Sequence, residues 1–457
     1  MRYQSTRGGV RGERFLDSLL MGLAADGGLL IPEQVPDVSD DLAELSELDF
    51  VSLAQRIIPL FVDDIPVDDL NRLISESYAT FDHPDVVDLK RVGDVDVLEL
   101  FHGPTLAFKD VALQLVGRLF EYALAKRGGH INILGATSGD TGSAAIAGVR
   151  GQSNIDIFIL YPNNRVSHLQ ELQMTTIPDD NVHCIAIEGS FDDCQGLMKG
   201  IFGDLEQKQA LHLGAVNSVN WARVLAQIVY YGYASLRQSE PVTFCVPTGN
   251  FGNVFAGYLA RKMGFPIKQL LVATNENDIL ARFFATGEYS RGDVHFTLSP
   301  AMDIQVASNF ERFLYYYFEG DSQRLCDFME DFHETGKASV GDDWQGGLPH
   351  GFIATAVNTD ETLAAVARYQ KEYDYIADPH TAVGLAAIDK VDKSDLGPLV
   401  CVATAHPAKF PEAVAKAIPG LAPKHERLEA LRDLAERKTV LPADPEAIIE
   451  HIRANGR

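Results

Sequence analysis

Lys109 is the residue of this sequence best placed to do covalent chemistry. It closes the largely apolar stretch of His102-Gly103-Pro104-Thr105-Leu106-Ala107-Phe108-Lys109-Asp110. A lysine carried at the end of such a stretch points inward, where loss of solvation lowers its pKa and frees the amine. A neutral amine attacks carbonyl carbon and can form a Schiff base. The plainer alternative is a lysine that snorkels to water or pairs with an acid. Two other segments gather glycines with small polar residues: Gly135-Ala136-Thr137-Ser138-Gly139-Asp140-Thr141-Gly142 and Pro247-Thr248-Gly249-Asn250-Phe251-Gly252-Asn253. Glycine lets backbone turn tightly and approach a ligand closely. A helix that starts there presents unpaired N–H groups and the positive end of its dipole. Such a turn holds an anion without any lysine. Ordinary turns with Ser, Asp or Asn caps are the alternative.

These residues need elements to hold them. Val95 to Leu100 alternates and is rich in branched residues, which predicts a strand, and Val111, Leu115, Leu119 and Tyr122 recur at helical spacing. Lys109 therefore sits on a strand-to-helix turn. Further strands are predicted at 131–134, 156–161, 182–187, 242–246, 269–273 and 399–403, several of them followed by a loop and a helix. That rhythm implies parallel sheets covered on both faces. In such sheets the loops at the carboxyl ends of the strands bind ligands, so Lys109, both glycine-rich turns and Thr404 can share one crevice. Residues 1–85 read as a small, mostly helical leader with no chemistry of its own. Phe15, Leu19 and Leu23 keep helical spacing, and Asp17 interrupts what otherwise looks like an export signal. From His425 onward the chain is charged and reads as a solvated surface helix.

The chain has 457 residues and a net charge of −25, which predicts several domains and disfavours nucleic acid and acidic membrane surfaces as partners. Its 5 cysteines are scattered and lack a Cys-x-x-Cys pair, as expected of reduced thiols in the cytoplasm. Its 13 histidines show no zinc-binding spacing, so no metal is expected. No apolar run is long enough to span a bilayer. Neither glycine-rich turn is a Gly-x-x-x-x-Gly-Lys loop or a Gly-x-Gly-x-x-Gly fingerprint, which disfavours nucleotide hydrolysis and nicotinamide chemistry. An inward lysine beside an anion cradle fits pyridoxal phosphate, whose aldehyde bonds an amine and whose phosphate needs a cradle.

The Lys109 stretch, the two glycine-rich turns and Ala403-Thr404-Ala405-His406-Pro407-Ala408-Lys409-Phe410 together resemble the signature segments of threonine synthases. The match is to the longer branch found in fungi and many bacteria. Gly22 to Leu29 and Pro32-Glu33 are similar to that branch's leader domain. The resemblance implies the tryptophan synthase β-like fold: two doubly wound α/β lobes with pyridoxal 5'-phosphate between them. It implies a helical domain over 1–85, a larger cofactor-binding lobe over 86–125 and 238–424, a smaller substrate-closing lobe over 126–237, and a helical tail over 425–457. Lys109 would hold the cofactor as a Schiff base, Gly249, Asn250, Phe251, Gly252 and Asn253 would cradle its phosphate, and Thr404 would face its ring nitrogen. Thr137, Ser138, Gly139 and Thr141 would receive the substrate. Asp140 stands where related enzymes often carry Asn, and an acid there needs a shared proton or a nearby cation. The implied reaction converts O-phospho-L-homoserine and water to L-threonine and phosphate, in a monomer or homodimer. Arg165, Ser167, Asn217, Ser218 and Asn220 are candidates for the substrate phosphate by position. The alternatives are another pyridoxal-phosphate lyase, such as a serine or threonine dehydratase, and a homologue that binds the cofactor without turnover.

Overall fold

Branched and aromatic runs become the strands of two sheets, and the functional turns sit at the strands' carboxyl ends. The computed structural model describes residues 1–457 apart from Ser138, Ala215, Asp342 and Asp343 and the side chain of Leu205. The larger sheet has the order Phe352–Ala356, Ile267–Thr274, Val242–Pro247, Leu399–Ala403, Val95–Glu99, Asp88–Val92. Its strands are parallel except for the last, which pairs antiparallel with Val95–Glu99. The smaller sheet is parallel throughout, in the order Thr439–Pro442, Val182–Glu188, Ile155–Pro162, Ile131–Ala136, Leu213–Gly214. Val242–Pro247 and Ile155–Pro162 are buried along their whole length, which is why they read as continuous apolar runs rather than alternating ones.

The order of the larger sheet makes the site possible. Val242–Pro247, Leu399–Ala403 and Val95–Glu99 are neighbours, although they lie far apart in the chain. The turns that leave them carry the Gly249–Asn253 segment, Thr404 and Lys109. The Lys109 turn is hooked to the end of the middle strand. Phe108 N donates to Thr404 O at 2.8 Å and His406 N to Leu106 O at 3.0 Å, with Leu106 at φ +60°. The helix Lys109–Arg127 packs against Asp140–Val149 from the smaller sheet's lobe. A Cβ at Gly117 would lie 2.0 Å from the Gly148 carbonyl oxygen, and one at Gly148 would lie 2.3 Å from that of Leu113. That close approach brings the first turns of the two helices together, and with them Lys109 and Asp140.

The leader is mostly helical, with a short antiparallel pair, Tyr3–Ser5 with Leu30–Pro32. Within it Asp49 starts a new helix, Phe50–Ile57, by accepting from Ser52 N at 2.7 Å. The tail differs more from expectation. Instead of one solvated helix it contains the strand Thr439–Pro442, which adds to the edge of the smaller sheet, and the helix Pro445–Asn455, which buries Ile448 and Ile452 against that sheet. The charged residues around a short apolar strand mask it in the sequence. Asp88–Val92 and Phe352–Ala356, the two edges of the larger sheet, escape prediction for a similar reason: half-exposed edge strands carry mixed residues.

Candidate active site

A cleft of about 740 Å³, counting its open mouth, runs between the two lobes. Lys109, the Gly249–Asn253 segment, Thr404, Asp140 and Thr141 all line it. Lys109 occupies the first turn of its helix and is 9 % exposed, which decides against the snorkelling alternative. Burial lowers the pKa of its ammonium; Asp140 opposes that, while Lys409 and Arg223 add to it. The amine is thus poised toward its neutral, nucleophilic form.

The glycine-rich segment after Val242–Pro247 opens the helix Gly252–Lys262 through Phe251, which takes φ +63°. A Cβ at Gly249 would lie 2.8 Å from the Ala301 carbonyl oxygen, so the wall there admits only glycine without adjustment. Asn253 has its amide orientation fixed from behind. Its Oδ1 accepts from Tyr230 Oη at 2.6 Å and Tyr231 Oη at 2.7 Å. Its Nδ2 is buried and has no partner among the described residues. A buried donor held without an acceptor is costly and implies a ligand oxygen. This orphaned N–H beside the first turn of a helix fits a phosphate, and a buried lysine of lowered pKa in the same cleft fits an aldehyde; the residues present fit pyridoxal phosphate. Replacing both tyrosines by phenylalanine frees the amide to turn over. Cofactor affinity of that double variant, measured by titration of cofactor-stripped protein, should weaken about tenfold; unchanged affinity would remove the tyrosines from this role.

Chain-matching comparisons follow the same line. Family models for the threonine synthase N terminus, a pyridoxal-phosphate dependent enzyme and the threonine synthase C-terminal region match residues 2–78, 97–335 and 381–452. A threonine synthase of Pseudomonas aeruginosa is 49 % identical over 97 % of this chain and 96 % of its own. The chain belongs to the threonine synthase family. The Saccharomyces cerevisiae threonine synthase is 44 % identical over 92 % of this chain and 89 % of its own. Among solved structures, a pyridoxal-phosphate-bound threonine synthase from Brucella melitensis superimposes with a TM-score of 0.96, at 44 % identity and complete coverage of both chains. The yeast threonine synthase gives a TM-score of 0.93 at 41 % identity, covering 99 % of this chain and 98 % of its own. As a threonine synthase, the protein is a pyridoxal-phosphate-dependent lyase with the two-lobed α/β fold expected.

The other predicted residues of this threonine synthase fall into different places. Thr137 is buried away from the cleft. Its Oγ1 accepts from Gly139 N at 3.0 Å and Gly142 N at 2.9 Å, so it shapes the loop rather than meeting a ligand. Gly139 takes φ +140°, and a Cβ there would lie 2.6 Å from the Gln170 side chain. Ser138 lies outside the described residues. Arg165 is exposed on the loop after Ile155–Pro162 and does not line the cleft. Ser167 and Asn220 cap helices. Asn217 is half-buried and outside the cleft wall, whereas Ser218 does line it.

Sequence reasoning missed three residues. Arg223 lines the cleft, is 5 % exposed, and has Nε and Nη1 without partners among the described residues. Burial pulls its pKa down to about 10. The signal was present, since Arg223 is the lone charge in the otherwise apolar and polar-neutral helix Trp221–Ser235. His380 lines the cleft too. Its Nε2 accepts from Ala301 N at 3.3 Å and its Nδ1 lies 2.8 Å from Asp378 Oδ1, so Nδ1 carries the hydrogen. Lys409 is buried 2.9 Å from Asp140 Oδ1.

His406, behind Thr404, gives a pH dependence. Burial pulls its imidazole down to about 4 from 6.5, with His425 and His102 pushing the same way. The unfolded chain therefore takes up this proton first as pH falls. Stability present above the unfolded value is lost progressively from about pH 6.5 toward 4. His406 Nδ1 also accepts from Ala408 N at 3.1 Å, an acceptor role that asparagine keeps. Denaturant midpoints should fall less steeply between neutral and acid pH in H406N than in the unsubstituted protein. Parallel curves would assign the acid lability elsewhere.

Proposed function

We propose that this enzyme converts O-phospho-L-homoserine and water to L-threonine and phosphate, with Lys109 as the residue that holds the cofactor and moves the protons. The observation that carries the substrate choice is Arg223. Its unpaired guanidinium lines the same cleft as Lys109 and the Gly249–Asn253 cradle, and so offers a second anion a place of its own. A dehydratase acting on free serine or threonine has no anion to place there.

Pyridoxal phosphate, when bound, supplies an electron sink conjugated to the substrate nitrogen, which makes hydrogens on the neighbouring carbons acidic. The Gly249–Asn253 segment binds its phosphate through helix-terminal N–H groups and Asn253 Nδ2. Thr404 offers a hydroxyl to the ring nitrogen, and a hydroxyl does not enforce a protonated ring as a carboxylate would. The Gly139–Thr141 turn receives the substrate carboxylate at the start of the helix Asp140–Val149. Arg223 and Ser218 hold the substrate phosphate. Lys109 Nζ, neutral once freed, takes the proton from Cα, gives it up within the cleft, and so becomes free to take one from Cβ. Loss of phosphate from Cγ follows; Cγ and Cα regain protons, and the hydroxyl of water arrives at Cβ.

The test is to supply the holoenzyme with O-phospho-L-homoserine and measure inorganic phosphate and threonine together. Equal amounts of both support the reading. Ammonia from threonine, with no phosphate from phosphohomoserine, overturns it in favour of a dehydratase, and no product from either substrate leaves a cofactor-binding homologue.

A further inference from the structure

Asp140 raises a problem that the reaction alone does not solve. A carboxylate in the position beside Lys109 adds a buried negative charge to a cleft built for anions. Its surroundings answer the difficulty asymmetrically. Asp140 Oδ1 takes Lys409 Nζ at 2.9 Å and Gln170 Nε2 at 3.0 Å. Asp140 Oδ2 is left toward Lys109 Nζ, at 3.5 Å. Lys409 has no exposed side-chain surface, and it also donates to Thr105 O at 2.6 Å. That carbonyl belongs to the Lys109 turn and accepts Gln173 Nε2 at 3.0 Å as well. Lys409 follows the strand Leu399–Ala403 of the larger sheet, whereas Asp140 follows Ile131–Ala136 of the smaller one. The ion pair therefore spans the two lobes and ends on the turn that carries the reactive lysine.

We propose that Lys409 is a positioning residue for Lys109: it ties up one oxygen of Asp140 and aims the other, still charged, at the Lys109 nitrogen. The other ionisable groups facing this centre are few. His380 from the helix Pro379–Lys390 faces Asp140, Arg223 from Trp221–Ser235 faces Lys109, and Asp110 lies within reach of Lys409 but is already engaged by Thr105 N and Oγ1 at 2.8 and 2.7 Å. Burial works against ionisation of Asp140, and Lys409, then Lys109 and His380, outweigh it and hold the carboxyl well below the usual carboxylate range. When the Lys109 nitrogen gives up its charge during turnover, Lys409 remains to balance Asp140. A carboxylate then stands where an amide would serve an enzyme that lacks the lysine.

The inference rests on Lys109 holding the cofactor, and the experiment separates the two. The absorption band of the bound cofactor is titrated against pH in the unsubstituted holoenzyme, K409M, D140N and the K409M/D140N pair. Removing a positive neighbour raises proton affinity, so the midpoint in K409M should move up by about one pH unit or more, and that in D140N should move down. The double variant should titrate close to D140N, because without the carboxylate Lys409 has nothing to aim. Thermal midpoints of the same holoenzymes should show coupling: each single substitution strands a buried charge, so the double loss should be smaller than the sum. A purely structural lysine would lower the melting temperature of K409M and leave the band's titration unmoved, which overturns the proposal, as does a band that shifts in no variant. If K409M does not fold, D140N and the double variant should still titrate nearly together, because Lys409 acts through Asp140; a double variant displaced by about a full pH unit above D140N overturns the proposal. K109A is the control: a normal cofactor band in K109A defeats the assignment of Lys109, whereas a band lost in K109A and unmoved in K409M defeats only the role of Lys409.

Discussion

Lys109→Ala should abolish the absorption band of the Schiff base that links protein and cofactor and reduce turnover about a thousandfold or more. Two effects combine. In the proposed reaction the side chain is both the covalent anchor and the base that reaches two carbons of the substrate. Binding of cofactor should persist in weakened form, because the Gly249–Asn253 cradle and the orphaned Asn253 Nδ2 are untouched by the substitution. Addition of a small primary amine should then restore part of the band and part of the rate, since the cavity left by the side chain is open toward the cleft. Equilibrium dialysis, absorption spectra and threonine formation measure the three outcomes. Undiminished turnover in K109A would defeat the assignment outright.

Arg223→Met should raise the KM for O-phospho-L-homoserine about a hundredfold. Hydrogen bonds to charged groups contribute about 1.5–3 kcal/mol, and two of the guanidinium's nitrogens are free to make them. The cofactor band should be unchanged, because Lys109 and the cradle are intact. Stability should move the other way from activity. A buried guanidinium without a partner costs several kcal/mol, and an apolar side chain of similar length relieves that cost. The ligand-free protein should melt at a higher temperature in R223M, while phosphohomoserine analogues should lose their stabilising effect. A variant that binds the substrate normally would release Arg223 from this role and leave Ser218 and the exposed Arg165 to be tested in its place.

The parts of this fold that sequence could supply are those whose cause is local. The buried strands are mostly apolar, the functional turns are glycine-rich, and the helix after Lys109 repeats at three and four residues; each of these is visible without knowing what packs against it. The edge strands at Asp88–Val92, Phe352–Ala356 and Thr439–Pro442 were hidden because they are short and half-exposed, with no sustained apolar run or alternation. The site residues divide the same way. Lys109, Thr404 and the Gly249–Asn253 turn carry their meaning in their own neighbours. Arg223 and Lys409 carry theirs in partners, or missing partners, far away in the chain. Lys409 stood inside a segment already singled out, yet nothing in its flanking residues announces Asp140, which lies in the other lobe. Asp140 itself was expected to need a shared proton or a nearby cation, and the packed structure sets Lys409 beside it.

The order in which the larger sheet is laid down bears on how the enzyme comes into being. The strand Leu399–Ala403 lies between Val95–Glu99 and Val242–Pro247, both of which leave the ribosome long before it. Thr404 and Lys409 arrive with that strand, and the Lys109 turn gains its backbone anchors only when it is seated. A nascent chain stalled before residue 399 therefore has no finished pocket in which to capture its vitamin-derived partner. Insertion of a late strand between two early ones is a high-contact-order event and slow by nature. In a refolding experiment, uptake of the cofactor should lag behind recovery of helical circular dichroism.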